Sequence, residues 1–281
     1  MPDHNTIVPS DSATTDYYLG TILLKEELDH QHFLFAIYTG GEYYFGVPPG
    51  WSMKIKVNGL YHISMQYLHS MAVVENTYTL DIERSYCPVK LLTLQQIDQY
   101  RKIEHYKTIG QVTFFIVRIY ETGKLTSQLN ELPLRRHGVL EIGGIHGKFD
   151  VEWLRNTDRL VMIAGGSGIS PFTSILKFIH DHEHHFHVKQ AILIYSFRAS
   201  KFDKVPWHEA WETLATYDWF YYVPYISTGE AVDGGRFTLE SIKNDLEQVP
   251  PPRISKHAGV SGIKIKAITC GPQGFSDTTV Q

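Results

Sequence analysis

Cysteine is scarce in this chain. Cys87 and Cys270 are the only two in 281 residues, and their wide separation supports neither a disulfide framework nor a zinc-ligand spacing. That fits a reducing compartment. Positive charge is not in excess either, with 26 Lys plus Arg against 30 Asp plus Glu and a net charge of −4. Such a balance gives no general field for holding a polyanion, so nucleic acid is not an expected partner. The N-terminal MPDHNTIVPSDS has no basic segment leading into an apolar run. Nowhere does an apolar run reach the roughly 18 residues that a membrane span requires. The expectation is a cytoplasmic chain with no signal peptide and no transmembrane span of its own.

What is present is an ordinary globular composition, 43% hydrophobic and 20% charged. At about 100–200 residues per domain, this length favours two domains. From Tyr17 to Tyr67 the pattern is short and strand-like, with YYLGTILLKEEL, HFLFAIYT, MKIKV and HISMQYL. Met53, Ile55 and Val57 alternate with Lys54 and Lys56, the period of a half-buried strand. VTFFIVRIYET from Val112 and VLEIGG from Val139 add further strands. Connections this short suit an antiparallel sheet, in a small barrel or sandwich. Residues 70–79 and 93–110 fit that scheme poorly and read as insertions.

After Gly147-Lys148-Phe149 the pattern changes. Leu160 to Ala164 is a continuous apolar strand, and a helix opens near Pro171, with Phe172, Ile175, Leu176 and Ile179 at helical spacing. AILIYSF, a helix from Trp207, FYYVPYI, a helix over 235–246 and IKIKAITCGP complete an alternation of strands and helices. That alternation implies a parallel sheet covered on both faces. The boundary is expected near residues 148–158. The divisions are an extension at 1–16, an all-β antiparallel domain at 17–150 and an α/β domain at 156–281.

Open parallel sheets bind ligands beyond the carboxyl ends of their strands. Gly165-Gly166-Ser167-Gly168 and Cys270-Gly271-Pro272 both fall at such ends and are expected to share one cleft. Small residues there let backbone amides approach a phosphate, although a tight structural turn without ligand needs the same residues. Arg84-Ser85-Tyr86-Cys87-Pro88 combines a cation, an aromatic ring and a fixed turn. Gly123-Lys124-Leu125-Thr126-Ser127 follows a strand and can open a helix whose amides receive a phosphate. Each has a plainer alternative, a sheet edge and a helix cap respectively.

In this order RSYCPV, GKLTSQL, GGIHGKF, GGSGISPF and CGPQGF resemble the flavin and pyridine-nucleotide module of the cytochrome b5 reductase and ferredoxin–NADP reductase superfamily. Within it the likeness is to the reductase region of fused forms that carry cytochrome b5 and CS domains upstream. The resemblance implies an all-β antiparallel FAD-binding barrel followed by an α/β parallel-sheet nucleotide-binding domain. It implies that Arg84 binds the FAD pyrophosphate, that Tyr86 packs on the isoalloxazine, and that Ser85, Pro88 and Val89 complete the motif. Gly123, Lys124, Thr126 and Ser127 resemble a second FAD-phosphate motif. Gly165, Gly166, Ser167, Gly168 and Pro171 resemble the coenzyme turn, and Cys270, Gly271, Pro272 and Phe275 the loop that brings nicotinamide towards flavin.

The implied activity passes a hydride from NADH to FAD and then single electrons to cytochrome b5 or a similar haem protein. The implied chain is a monomer with an endoplasmic-reticulum association. The positions assigned to the reaction are Cys87, where the family has threonine or serine near flavin N5, and Cys270, which shapes the nicotinamide site without acting as a nucleophile. NADPH stays open as donor, because Arg198 and Lys201 follow the second parallel strand and suit a 2′-phosphate. A thiol is a poorer donor than a hydroxyl. The stretch before Arg84 is long, and the chain stops soon after Phe275, as a truncated nucleotide domain would. These departures support an alternative, a catalytically weak flavoprotein or an association scaffold on the same fold.

Three other features read as bland. His180, His182, His184, His185 and His187 make a solvated loop better than an ordered metal site. Phe220, Tyr221 and Tyr222 lack the basic groove that nucleic-acid stacking requires. Arg135-Arg136-His137 reads as a solvated turn, with docking of an acidic haem protein as the alternative.

Overall fold

The structure is a computed structural model that describes residues 16–29, 31–39, 47–57, 82–89, 112–120, 122–135, 140–182, 188–198, 207–227, 237–252, 263–272 and 275. HISMQYL, the 70–79 and 93–110 segments, Arg136, His137, His184, His185, His187 and Lys201 lie outside them. The described residues form two compact units that divide between Lys148 and Phe149.

The first unit is an antiparallel sheet of β1 (Tyr17–Glu27), β2 (His32–Tyr38), β3 (Ser52–Val57), β4 (Ile82–Tyr86), β5 (Pro88–Val89), β6 (Val112–Arg118) and β7 (Leu140–His146). Their order across the sheet is β4-β3-β7-β1-β2-β6-β5. The two edge strands, β4 and β5, are separated in the chain by Cys87 alone. In a flat sheet, edges six strand spacings apart would lie about 29 Å from each other. One intervening residue spans only about 7 Å, so the sheet curls until its edges meet. The result is a barrel. Its interior holds Ile22, Phe35, Ile37, Met53, Ile55, Phe115, Val117, Leu140 and Ile142. The alternation seen in β3 follows directly, since Met53, Ile55 and Val57 are buried while the lysines between them are not.

Helix α1 (Lys124–Glu131) packs Leu125 and Leu129 into the same interior, and Leu132 follows just beyond its end. This strip at i and i+4 is what plugs one end of the barrel.

The second unit is a parallel sheet of β8 (Arg159–Gly165), β9 (Gln190–Arg198), β10 (Phe220–Ser227) and β11 (Ile265–Cys270), in the order β10-β9-β8-β11. Helices α2 (Ser170–Asp181), α3 (His208–Leu214) and α4 (Leu239–Gln248) connect them. Ile242 and Leu246 of α4 cover the face carrying Val161, Ile163, Ile192 and Ile194. Right-handed crossovers place α2 and α3 on the other face. The order reverses at β8, so β8 and β11 flank the switch point of the sheet. Pro224 lies in β10, an edge strand, where a missing N–H is tolerated.

Two helix starts differ from the sequence pattern. Trp207 is not the first helical residue of α3 but a buried residue at φ 63°, outside the helix. Helix α4 starts at Leu239 rather than 235, because Thr238 and Ser241 exchange side-chain to backbone bonds in a capping box. At the amino ends of the strands, Asp158 accepts from Lys189 Nζ at 2.6 Å and from the Lys264 amide at 2.8 Å. Burial raises the Asp158 carboxyl only slightly against these bonds, and it is held below the usual carboxylate range.

Leu129 is fully buried at the barrel end whereas Lys124 is exposed. Leu129→Ala is therefore expected to lower unfolding stability by about 2–5 kcal/mol, and Lys124→Ala by less than about 0.5 kcal/mol. Urea unfolding of both variants checks the difference.

Candidate functional site

In the barrel, β4 pairs with β3 so that Arg84 lies opposite Ile55 and Tyr86 opposite Met53. Residues paired in this way share a face of the sheet, and Ile55 and Met53 are fully buried. Arg84 is nevertheless exposed. The barrel wall is thus open to solvent beside β4, and a guanidinium stands at the opening, steadied by its Nη1 bond to the Glu83 carbonyl at 2.8 Å. Glu83 itself is taken by Lys54 and Tyr17, so its carboxylate is not directed at Arg84. Ser85 is exposed beside it, and Pro88 and Val89 are buried where the chain enters β5.

Tyr86 stands edge-on to Phe115, with ring centroids 6.5 Å apart. Burial pushes its phenol up to about 12, against a smaller lowering by Arg84 and with a small further rise from Tyr120. Cys87 places its Sγ 3.2 Å from Ser52 Oγ. Burial pushes this thiol up and the Ser52 contact lowers it less, which keeps it protonated at neutral pH and rules it out as a ready nucleophile. Cys87 and Cys270 form no disulfide.

Helix α1 packs against β3 and β4 and brings the second motif to the first. Gly123 precedes the helix in an extended conformation with no side-chain cap. The first-turn amides of α1 have no acceptor within the helix, and Lys124, Leu125 and Thr126 carry them. A side chain at Gly123 would meet the Tyr120 Cβ at 3.0 Å, so glycine lets the strand end fold tightly onto the helix start. Thr126 Oγ1 accepts from the Tyr120 amide at 3.2 Å, leaving its own O–H to donate. Ser127 Oγ donates to the Gly123 carbonyl and keeps its lone pairs.

Two neighbours escaped the sequence reading. The Arg118 guanidinium lies 4.9 Å from the centre of the Tyr120 ring and is held by Gln31 Oε1 at 2.8 and 3.1 Å. Tyr120 is half exposed and presents a flat face next to the α1 start. The only signal in the sequence was a large aromatic placed just after a strand.

In the second unit, β8 runs into a 3-10 turn over Gly166–Ile169 and then α2, with Pro171 in its first turn. Gly166 has φ +54°, a conformation that glycine adopts without strain. Its carbonyl accepts from Tyr195 Oη at 3.2 Å. Ser167 is half-buried, and its carbonyl accepts from Ser170 Oγ at 2.9 Å. A Cβ on Gly168 would overlap the Cys270 carbonyl and come within 2.8 Å of Gly271 Cα. The two glycine turns therefore touch at the switch point, as one cleft requires. Phe275 lays its ring against Gly165 and Gly271 and stands edge-on to Phe237 at 5.2 Å. Pro272 ends the loop by accepting the Phe275 amide at 2.9 Å. Arg198 is exposed at the carboxyl end of β9.

Known proteins resemble this arrangement. The model of the ferric reductase NAD binding domain matches residues 157–210. The whole chain is 20% identical to cytochrome b5 reductase 4 of Rattus norvegicus, covering 47% of that protein. The Danio rerio form is 26% identical over 179 residues, which are 62% of this chain and 30% of that protein. The chain thus spans about half or less of the curated relatives it matches. The chain is homologous to the cytochrome b5 reductase and ferredoxin–NADP reductase superfamily.

Among solved structures, the CS-b5R domains of human Ncb5or in the NAD+ form superpose with a TM-score of 0.66 at 18% identity, covering 100% of this chain and 69% of that one. A ferredoxin NADP+ reductase from Neisseria gonorrhoeae with bound FAD and NADP gives a TM-score of 0.63 at 18% identity, covering 95% and 90%. These likenesses show the fold, an antiparallel sheet followed by a parallel one in the ferredoxin-reductase-like arrangement.

The barrel presents the exposed guanidinium of Arg84, the half-exposed ring of Tyr120 and the uncapped start of α1, groups of the kind that suit a phosphate or a flat ring. The Tyr86 environment gives a direct check. Below pH about 10 the phenol is neutral in folded and unfolded chains alike, so its stabilising contribution is complete. As pH rises towards about 12 the unfolded chain ionises first and stability falls. Ultraviolet phenolate titration of the folded protein should show one fewer late-ionising tyrosine in Tyr86→Phe, and a titration unchanged by that substitution would contradict the burial.

Proposed function

We propose that the chain is an NADH-dependent FAD oxidoreductase that passes electrons to cytochrome b5 or another haem acceptor. The observation that carries the reading is that each unit has a glycine-bearing turn leading from a strand into a helix, a geometry that suits a nucleotide phosphate. The barrel offers the start of α1 beside Arg84, and the parallel sheet offers the glycine turn at its switch point. The superfamily homology supports it.

FAD, when bound, supplies a two-electron acceptor that can release electrons singly. Arg84 would hold its pyrophosphate by charge-assisted bonds. The first-turn amides of Lys124 and Leu125, with the Thr126 hydroxyl, would take a phosphate, and Ser127 keeps the turn closed through Gly123. Tyr86 would lie against the isoalloxazine, with its phenol neutral, and Tyr120 backed by Arg118 would take a second flat group. Gly165, Gly166, Ser167 and Gly168 would let the coenzyme pyrophosphate approach the backbone, with the positive end of α2 behind it. Cys270, Gly271 and Pro272 would shape the nicotinamide side. NADH as the donor rests on the homology, and Arg198 is the described residue that would favour NADPH.

Purified protein should carry a flavin spectrum, and NADH added without oxygen should bleach it. Arg84→Ala is expected to weaken FAD retention by about 10–100-fold, the worth of one charged hydrogen bond. Gly168→Ala, which forces the turn away from Cys270, should slow bleaching while leaving FAD bound. A yellow protein that neither NADH nor NADPH reduces would favour the scaffold reading. A protein that takes up no flavin, even when it is supplied, would sink both.

A further inference from the structure

The parallel sheet has two edges, and they are built differently. β10 carries Pro224, whose missing N–H spoils its outer side for pairing. β11 carries no proline, and with the two residues before it reads IKIKAITC. The Lys264 carbonyl accepts the Asp158 and Arg159 amides at 2.9 and 3.1 Å, so the Lys264 peptide group faces β8. The N–H and C=O of a strand residue point to one side, and successive residues alternate. Lys266 therefore also faces β8, whereas Ile265 and Ala267 turn their peptide groups outward. Among the described residues β11 pairs only with β8.

The side chains at these two positions are open as well. Ala267 pairs with Val161, so it and Ile265 lie on the face of the sheet that α4 covers over β8. Val161 is buried there, yet Ile265 is 58% exposed and Ala267 is exposed beside it. Lys264 and Lys266 occupy the other face of the strand, and residues 263–272 contain no Asp or Glu. Lys266 Nζ is steadied by the Trp153 carbonyl and lies 4.8 Å from the centre of that ring. The edge thus alternates cation and apolar residue, with outward peptide groups at the apolar positions.

We propose that the outer edge of β11 binds an extended acidic segment of a partner protein, which joins the sheet as an added strand. Main-chain bonds at Ile265 and Ala267 supply the ladder, and alternate side chains supply selectivity. Residues opposite each other on paired strands share a face. A segment that alternates acidic and apolar residues therefore sets its carboxylates beside Lys264 and Lys266 and its apolar side chains beside Ile265 and Ala267. A second copy of this chain fits worse. Antiparallel pairing of Ile265 with Ala267 of another copy sets Lys266 against Lys266, and pairing Ile265 with Ile265 sets Lys264 against Lys266. Like charges directly opposite are destabilising.

The full chain is titrated with a fluorescein-labelled eight-residue peptide that alternates glutamate and valine, and binding is read by anisotropy. Saturable one-to-one binding is expected, weakened by added salt and at least about 10-fold weaker when lysine replaces glutamate in the peptide. The same peptide N-methylated throughout its backbone should bind at least about 10-fold more weakly, because it cannot donate to the ladder. That comparison leaves the protein unaltered, so it does not depend on a variant folding. Ala267→Pro removes one outward N–H, as Pro224 does on β10, and should weaken binding about 10-fold. Lys264→Glu should shift preference towards the lysine peptide. No binding, equal binding of the glutamate and lysine peptides, or binding indifferent to N-methylation or to Ala267→Pro overturns the proposal. Sedimentation of the chain alone that shows a dimer lost in Ala267→Pro would assign the edge to a second copy and overturn it too.

Discussion

The first unit depends on one covalent constraint, the single residue between its two edge strands. Because β4 ends at Tyr86 and β5 begins at Pro88, the sheet has to close on itself. Closure creates one interior from both halves of the sheet and gives Phe35, Phe115 and Ile55 a common core. It also explains why the opening lies beside β4. Among the described residues β4 carries ladder bonds only to β3, since its other neighbour in space is reached through the backbone at Cys87 rather than by pairing. At that seam an inward register position can be solvent-accessible, and Arg84 occupies it. A charged side chain is tolerated there because it need not be desolvated.

The second unit uses small residues for a comparable purpose. The four described parallel strands reverse order at β8, which puts the switch point at the carboxyl ends of β8 and β11. The backbone on each side approaches closely, Gly168 against the Cys270 carbonyl, and Phe275 fills what remains over Gly165 and Gly271. A side chain at Gly168 would push the two turns apart, and one at Gly165 or Gly271 would meet the Phe275 ring. Their contact is thus set by sterics before any ligand is considered, and the positive end of α2 is aimed at a site whose walls are already fixed.

Much of this was legible in the chain. Alternation marked β3, continuous apolar runs marked β8 and β9, and the change between these two patterns marked the passage from antiparallel to parallel sheet. The glycine turns were found because they follow apolar strands. What escaped was set by distance in space. β4 and β5 have no readable period, since Arg84 and Ser85 are exposed at successive positions and the strand breaks one residue after Tyr86. Tyr120 gains its setting from Arg118 and Gln31, the latter far away in sequence. His208 meets Tyr222 only because α3 folds back on β10. The left-handed backbone at Trp207 is likewise invisible to propensity, which disfavours any bulky residue there.

The thiol at the barrel seam is explained by the same geometry. A hydroxyl buried at Cys87 would need hydrogen-bond partners to offset desolvation, while a thiol behaves as a small apolar group and asks for little. Ser52 Oγ at 3.2 Å satisfies what polarity it has. Burial keeps the thiol protonated, so the seam adds no negative charge near Arg84. Neutral Cys87 therefore leaves the seam without an added charge, and its thiol is a weaker hydrogen-bond donor than a hydroxyl.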